Sequence, residues 1–109
     1  MFPAEVRFTR EDDFFLSPAS GRHVAYIAVH TYWKEDHTEY FDAAEDVFLA
    51  AGGRPHWGKL HRLRAAQLAA LYPDASRFEA VRQTLDPSGV FLNGYLKRTL
   101  PAAAAAAAG

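Results

Sequence analysis

Two segments of this chain have the residue pattern of a β-strand, and they constrain the fold more than any other feature. In PAEVRFTR (residues 3–10), apolar and polar residues alternate, which predicts a strand with one charged face that holds Glu5 and Arg7. HVAYIAVHTYW (23–33) is apolar on both faces, which predicts a central strand covered on both sides. Because two strands alone do not make a stable sheet, we expect either that further strands come from elsewhere or that the chain is a piece of a larger protein.

Helical patterns dominate the rest of the chain. The first predicted helix covers 39–51, with Thr38 as its N-cap and the two glycines at 52 and 53 as its C-cap. Two more are predicted over 64–73 and 75–85, the latter with Phe78, Val81 and Leu85 as its apolar stripe. DPSG (86–89) predicts a type I turn, and the last segment, 90–100, an extended piece followed by a helix.

Composition narrows the function classes. The chain has 109 residues, a length typical of one domain, and carries 12 basic and 13 acidic residues with no basic block, which argues against a nucleic-acid partner. It has no cysteine, so no disulfide or zinc-thiolate site is expected, and no apolar run as long as the roughly 20 residues of a membrane span. We predict a cytoplasmic location. The alanine-rich tail (101–109) is excluded from the functional prediction, which places one domain over 1–100.

The stretch GGRPHWGKLH (52–61) is too irregular for a helix and too polar for a core strand. His56 and His61 lack the spacing of metal ligands, so no metal is predicted. Lys59 has two interpretations: a solvated surface lysine, or a cation held beside an aromatic residue that stabilises a developing anion. Gly58 would let the backbone approach a ligand closely.

The two strands carry further candidates, each with two interpretations. Glu5 and Arg7 form either a surface ion pair, worth about 0–1 kcal/mol, or a carboxylate–guanidinium pair that holds a polyhydroxylated ligand. His30 is either a core histidine or, on the same predicted face as Tyr26 and Tyr32, part of a pocket wall.

Four segments together resemble the C-terminal end of the sugar-lactone oxidases, which are related to alditol oxidase within the vanillyl-alcohol-oxidase type of flavoprotein. The segments are PAEVRFTREDDFFLSP (3–18), GGRPHWGKLH (52–61), LYPDASRFEAVRQTLDPSGVFLN (71–93) and YLKRTL (95–100). The resemblance implies an α+β fold, part of an antiparallel sheet flanked by helices, which forms the C-terminal cap domain. It also implies that FAD is bound mainly by an N-terminal domain that this chain lacks.

The resemblance assigns roles to individual residues. Glu5 and Arg7 match a pair that reaches the substrate hydroxyls, and Lys59 matches a lysine near the flavin. Residues implied at the substrate are Glu5, Arg7, His30 and Tyr32; those implied at the cofactor are His56, Trp57, Lys59 and Asn93; those implied in catalysis are Glu5, Arg7 and Lys59.

The implied reaction is the oxidation of an aldonolactone, in which a hydride passes to FAD and O2 is reduced to hydrogen peroxide, or another electron acceptor is used. Partners would be the FAD-binding domain and, as an open alternative, a second copy of the chain; some family members associate with membranes. Two other functions stay open, a fragment of an alditol oxidase and a non-catalytic ligand-binding or interaction module.

Overall fold

A computed structural model describes residues 4–101 of the chain. Within them lie β1 (Glu5–Thr9), β2 (Val24–Ala28), α1 (Thr38–Ala50), α2 (Ala65–Leu71), α3 (Ala75–Leu85) and α4 (Gly94–Thr99). This confirms the predicted α+β class with antiparallel pairing of the strands. No helix in this part of the chain is long and apolar enough to cross a membrane. The alanines of the predicted tail lie outside the described residues.

The connection between β1 and β2 is internally hydrogen-bonded. The backbone N–H of Asp12 donates to the Ala19 carbonyl at 3.1 Å, and the N–H of Gly21 donates to the Asp12 carbonyl at 3.0 Å. The Ser17 hydroxyl donates to the Asp12 carboxylate at 2.6 Å, and Ala19 is fully buried beneath these contacts. The connection is therefore an ordered structure that fixes the start of β2.

The prediction of a central strand over 23–33 is wrong for the described part of the chain. The strand ends at Ala28, and β1 is its single partner within residues 4–101. No helix packs on either strand among the described elements. The apolar face of the hairpin, which carries Val6, is therefore exposed to solvent. Phe8 on that face is 83% exposed.

Helix α1 begins differently from the prediction. Thr38 is its first residue and His37 the N-cap, without a side-chain capping bond, so the prediction of Thr38 as N-cap is wrong. The Asp36 carboxylate accepts from the Thr38 N–H at 2.9 Å instead, and hydrogen bonds from Thr38 lower the pKa of Asp36. A carboxylate here also complements the positive end of the helix dipole.

The end of α1 confirms the two predicted cap glycines. Gly52 has a φ of +73°, a conformation in which glycine is favoured. Its N–H donates to the Leu49 carbonyl at 2.9 Å, and the Gly53 N–H donates to the Phe48 carbonyl at 2.7 Å. This pair of bonds is a Schellman motif, which ends the helix and turns the chain into the stretch 52–61.

The second half of the chain has its own core. Helix α2 packs against α3 and α4, and the largest fully buried side chains here are Leu63, Leu68, Tyr72 and Thr99. Two of the three residues of the predicted stripe of α3 lie outside this core, since Leu85 is 78% exposed and Val81 is also exposed, while Phe78 is half-buried. The buried residues of α3 are Ala75 and Glu79.

Glu79 is 4% exposed, and its buried carboxylate accepts hydrogen bonds from an arginine. The Arg82 Nε donates to both carboxylate oxygens of Glu79, at 3.0 and 2.9 Å, and its Nη1 donates to the Asp86 carbonyl at 3.2 Å. The hydrogen bonds with Glu79 raise the pKa of Arg82. The charged residues therefore hold the end of α3 against the turn that follows.

The DPSG segment forms a turn, as predicted. The Gly89 N–H donates to the Asp86 carbonyl at 3.1 Å, and Gly89 has a φ of +69°. The Asp86 carboxylate accepts from the N–H groups of Val90 and Phe91, at 2.8 and 3.1 Å. Asp86 thus fixes the chain that leads to α4.

Candidate active site

Glu5 and Arg7 form an ion pair on the charged face of β1. Both the Nε and the Nη2 of Arg7 approach the same oxygen of Glu5, Oε1. The side chain of Glu5 is 45% exposed and that of Arg7 is 76% exposed. Within residues 4–101, the second carboxylate oxygen of Glu5 and the Nη1 of Arg7 make no hydrogen bond, so the pair keeps acceptor and donor capacity for a ligand.

The strand register places an aromatic hydroxyl beside this pair. Arg7 is paired with Tyr26 and Glu5 with Ala28. Residues directly opposite each other in an antiparallel pair share a face, so Tyr26 lies on the same face as the ion pair. Val6 and Phe8 lie on the other face, as the alternation predicted.

His30 and Tyr32 lie beyond the end of β2. The prediction that they continue the face of Tyr26 fails because the strand stops at Ala28. His30 is exposed, and the Tyr32 ring lies 6.0 Å from that of Trp33, centroid to centroid. The expected roles of His30 and Tyr32 at the substrate therefore stay predictions, without support from the strand geometry.

The segment His56–Lys59 forms a tight turn. The Lys59 N–H donates to the His56 carbonyl at 3.1 Å, and the Gly58 N–H donates to Nδ1 of the His56 ring at 3.0 Å. A Cβ atom at Gly58 would lie 3.3 Å from Cε1 of that ring. The His56 ring therefore crowds the position of a Cβ at residue 58, and the predicted close approach of Gly58 to a ligand stays a prediction.

The side chains of the turn differ in exposure. Trp57 is half-buried, and Lys59 is exposed, with a side chain that makes no hydrogen bond or ion pair within residues 4–101. Because His56 Nδ1 accepts a hydrogen bond, the neutral ring carries its proton on Nε2 and offers a donor. Lys59 and His56 thus provide donors only, and both side chains are accessible.

Asn93 has a structural role that the sequence did not suggest. Its Oδ1 accepts from the Leu96 N–H at 2.9 Å, which caps α4. Its amide nitrogen remains available as a donor, so the predicted contact with a cofactor would use that atom.

The chain separates into two compact units, and the candidate residues are divided between them. One unit comprises the segment up to Asp13 together with Ser17–His61, and it holds all the candidates except Asn93. The other comprises Phe14–Leu16 and the chain from Arg62 onward, with Asn93. Among the described residues, Glu5 and Arg7 contact each other, and neither makes a hydrogen bond or ion pair with Lys59.

An arginine that the sequence analysis left aside holds the stretch 52–61 in place. The Nη1 of Arg54 donates to the carbonyls of Ser17, Pro18 and Ser20, at 3.4, 3.1 and 2.9 Å. Its signal in the sequence is weak: one arginine between Gly53 and Pro55, in a stretch with few backbone partners of its own.

The donor set fits one edge of a flavin. The pyrimidine edge of an isoalloxazine ring has carbonyl oxygens and a nitrogen on which negative charge builds when the ring is reduced, and it calls for donors and a cation. Lys59 and the Nε2–H of His56 are of that kind, and no acceptor side chain intervenes between them in the turn.

Sequence comparison gives the family to which the chain belongs. The family model for D-arabinono-1,4-lactone oxidase matches residues 1–99, so the chain belongs to that family.

Relatives with different names align with nearly the whole chain. L-gulono-1,4-lactone dehydrogenase from Mycobacterium tuberculosis is 53% identical over 100 residues, which are 92% of this chain and 23% of the relative. L-gulonolactone oxidase from Bos taurus is 42% identical over 101 residues, 89% of this chain and 23% of the relative. Alditol oxidase from a Streptomyces species is 37% identical over 99 residues, 88% of this chain and 23% of the relative. The chain thus spans about a quarter of the length of these relatives.

Proposed function

We propose that this chain forms the substrate side of the active site in an FAD-dependent sugar-lactone oxidoreductase. In the complete enzyme, it would act together with a separate domain that binds most of the FAD. The proposal combines the family membership with the chemistry of two groups of side chains, the Glu5–Arg7 pair and the His56–Lys59 turn.

The observation that carries the proposal is the arrangement of Glu5 and Arg7. Their mutual contact uses one carboxylate oxygen, Oε1. The other oxygen of Glu5, Oε2, and the Nη1 of Arg7 take no part in it. An acceptor and a donor on the same strand face would suit a ring that carries hydroxyl and carbonyl groups. The exposure of both side chains supports a ligand rather than a core role.

FAD, when bound, supplies the two-electron chemistry that no side chain of this chain can supply. Family members are FAD-dependent oxidases, which supports this choice of cofactor. Lys59, with His56 and Trp57 of the same turn, would hold the cofactor's acceptor edge.

The side chains have distinct tasks in this proposal. The substrate loses a hydride from carbon and a proton from the adjacent hydroxyl group. Glu5 would orient that hydroxyl group and accept its proton, while Arg7 would bind the substrate oxygens. Lys59 would stabilise the negative charge that develops near it, as a cation fixed before the reaction begins.

An aldonolactone is the substrate class that we propose. The lactone-named relatives from Mycobacterium and Bos are 53% and 42% identical, and the alditol oxidase is 37% identical. The electron acceptor is a separate question, because the names of the relatives divide between dehydrogenase and oxidase. We propose O2 as the acceptor, with hydrogen peroxide as the product.

The test is turnover by the complete enzyme that contains this chain. Purified enzyme supplied with FAD would be assayed on L-gulono-1,4-lactone and D-arabinono-1,4-lactone, and in parallel on xylitol and sorbitol. We expect turnover of a lactone with one hydrogen peroxide formed per lactone oxidised. Turnover of alditols alone would overturn the substrate class, and lactone-dependent reduction of an artificial dye without peroxide would overturn O2 as the acceptor.

A further inference from the structure

Arg54 binds the chain that connects the two strands. It lies two residues before His56, yet its guanidinium group reaches the carbonyls of Ser17, Pro18 and Ser20, more than thirty residues earlier in the chain. These are charge-assisted hydrogen bonds to part-buried backbone groups, the stronger class of protein hydrogen bond. Arg54 therefore ties the start of the His56–Lys59 segment to the β1–β2 connection.

A second arginine makes a similar connection in the opposite direction. The Nη2 of Arg22, two residues before β2, donates to the Gly52 carbonyl at 2.8 Å. The two arginines thus join the same two segments, 17–22 and 52–54, with a side chain from each. Within the β1–β2 connection, Asp12 is hydrogen-bonded to Ser17, Ala19 and Gly21. These bonds hold in place the backbone carbonyls to which Arg54 donates.

Helix α1 packs against neither strand among the described elements, and none of its residues is fully buried. Within this unit, hydrogen bonds of Arg54 and Arg22 join 52–54 to the strand connection.

We propose that Arg54 is a positioning residue for catalysis: it fixes the His56–Lys59 turn to the hairpin that carries Glu5 and Arg7. The inference rests on the proposed function, since it concerns the lysine that would stabilise charge there. Arg54 touches neither substrate nor cofactor in this role. Its effect on the reaction passes through Lys59.

The first test measures the turn without measuring activity. In the complete enzyme, Arg54→Ala should speed amide hydrogen exchange in segment 52–59 by about tenfold, because loss of the anchor lets the turn open more often. Exchange in α3 should be unchanged, and Lys97→Ala, which removes an exposed cation of α4, serves as the control. Unchanged exchange in 52–59 would overturn the proposal. Should Arg54→Ala fail to fold, Arg54→Lys replaces it, because lysine keeps the charge but loses the planar group. Exchange in 52–59 should then rise by less than in Arg54→Ala.

The second test uses a double-mutant cycle on turnover of the lactone. If Arg54 acts through Lys59, Arg54→Ala should lower kcat with little change in KM, and should cost little more once Lys59→Ala is present. Additive losses would mean that Arg54 acts independently and would overturn the inference. A Lys59→Ala variant with normal kcat would instead refute the role of Lys59 in the proposed function, and the exchange measurement would still report whether Arg54 holds the turn.

Discussion

Arg7 lies directly opposite Tyr26 across the antiparallel pair of strands. The alternation of β1 puts Arg7 on the face of Glu5, and the register adds the tyrosine to that face. A carboxylate, a guanidinium group and a phenol hydroxyl are thereby gathered on one side of a hairpin whose other side is apolar and exposed. A hairpin that only filled a core would have no need for this grouping.

Replacing Arg7 with lysine tests whether the pair binds a ligand. Arg7→Lys keeps the charge but loses the planar fork, so the complete enzyme should lose about tenfold or more in kcat/KM for the lactone. Arg10→Lys, one residue beyond the end of β1, is the matched control and should leave kcat/KM unchanged. Near-normal activity of Arg7→Lys would return Glu5 and Arg7 to the surface ion-pair interpretation.

The contact between Gly58 and the His56 ring predicts an effect of a single methyl group. In Gly58→Ala the new Cβ would lie 3.3 Å from Cε1 of His56, so the ring has to shift by a few tenths of an ångström, and we expect the bond between Gly58 N–H and Nδ1 to weaken. We expect lactone turnover to fall by about tenfold, since a displacement of this order misplaces Lys59.

Gly94 provides the matched control for that substitution. A Cβ at Gly94 meets nothing within 4 Å, so Gly94→Ala should leave turnover unchanged. Equal effects of the two substitutions would show that the geometry of the His56–Lys59 turn has no special importance.

The buried contact between Glu79 and Arg82 predicts a stability effect without a catalytic one. Glu79→Ala removes the carboxylate that satisfies a largely buried guanidinium group, so the melting temperature should fall by about 5 °C or more. Asp74→Ala breaks the exposed pair with Arg77 and should change the melting temperature by much less. Calorimetry of both variants gives the two melting temperatures. Equal decreases would contradict the claim that the buried pair stabilises the protein more than the exposed pair does.

Exposed aromatic residues predict self-association of the isolated chain. Phe8, Trp33 and Phe91 are 83%, 79% and 81% exposed, which is unusual for large apolar side chains in a monomer. Light scattering should show a mass that rises with concentration, and Phe8→Glu should reduce it, whereas Thr9→Glu on the charged face should not. A strictly monomeric chain at every concentration would contradict this expectation.

The sequence predicted the local structure well wherever the signal was local. The glycines at 52 and 53 end α1, and α3 covers the predicted residues because its boundaries are set by neighbours in the chain. The prediction failed where partners distant in sequence decide: β2 stops at Ala28, and Leu85 is exposed while Glu79 is buried. Periodicity alone shows that a residue is apolar and does not show which face finds a partner.

The candidate site divides in the same way. The contact between Glu5 and Arg7 follows from alternation within one strand, and the sequence predicted that they share a face. The bonds from Arg54 to the carbonyls of residues 17–20 join distant segments, and no local pattern indicates them. The hydrogen bond inside the His56–Lys59 turn depends on a side-chain rotamer that the sequence does not specify.

The central claim is that Lys59 stabilises charge during oxidation of the lactone, and one measurement tests it most directly. The rate at which lactone bleaches the flavin absorbance is measured under anaerobic conditions, in the complete enzyme and in Lys59→Ala, with Lys97→Ala in α4 as the control. We predict a loss of about a hundredfold in the limiting rate for Lys59→Ala, with substrate affinity and the control nearly unchanged. A normal limiting rate in Lys59→Ala, with only the affinity reduced, would contradict the account.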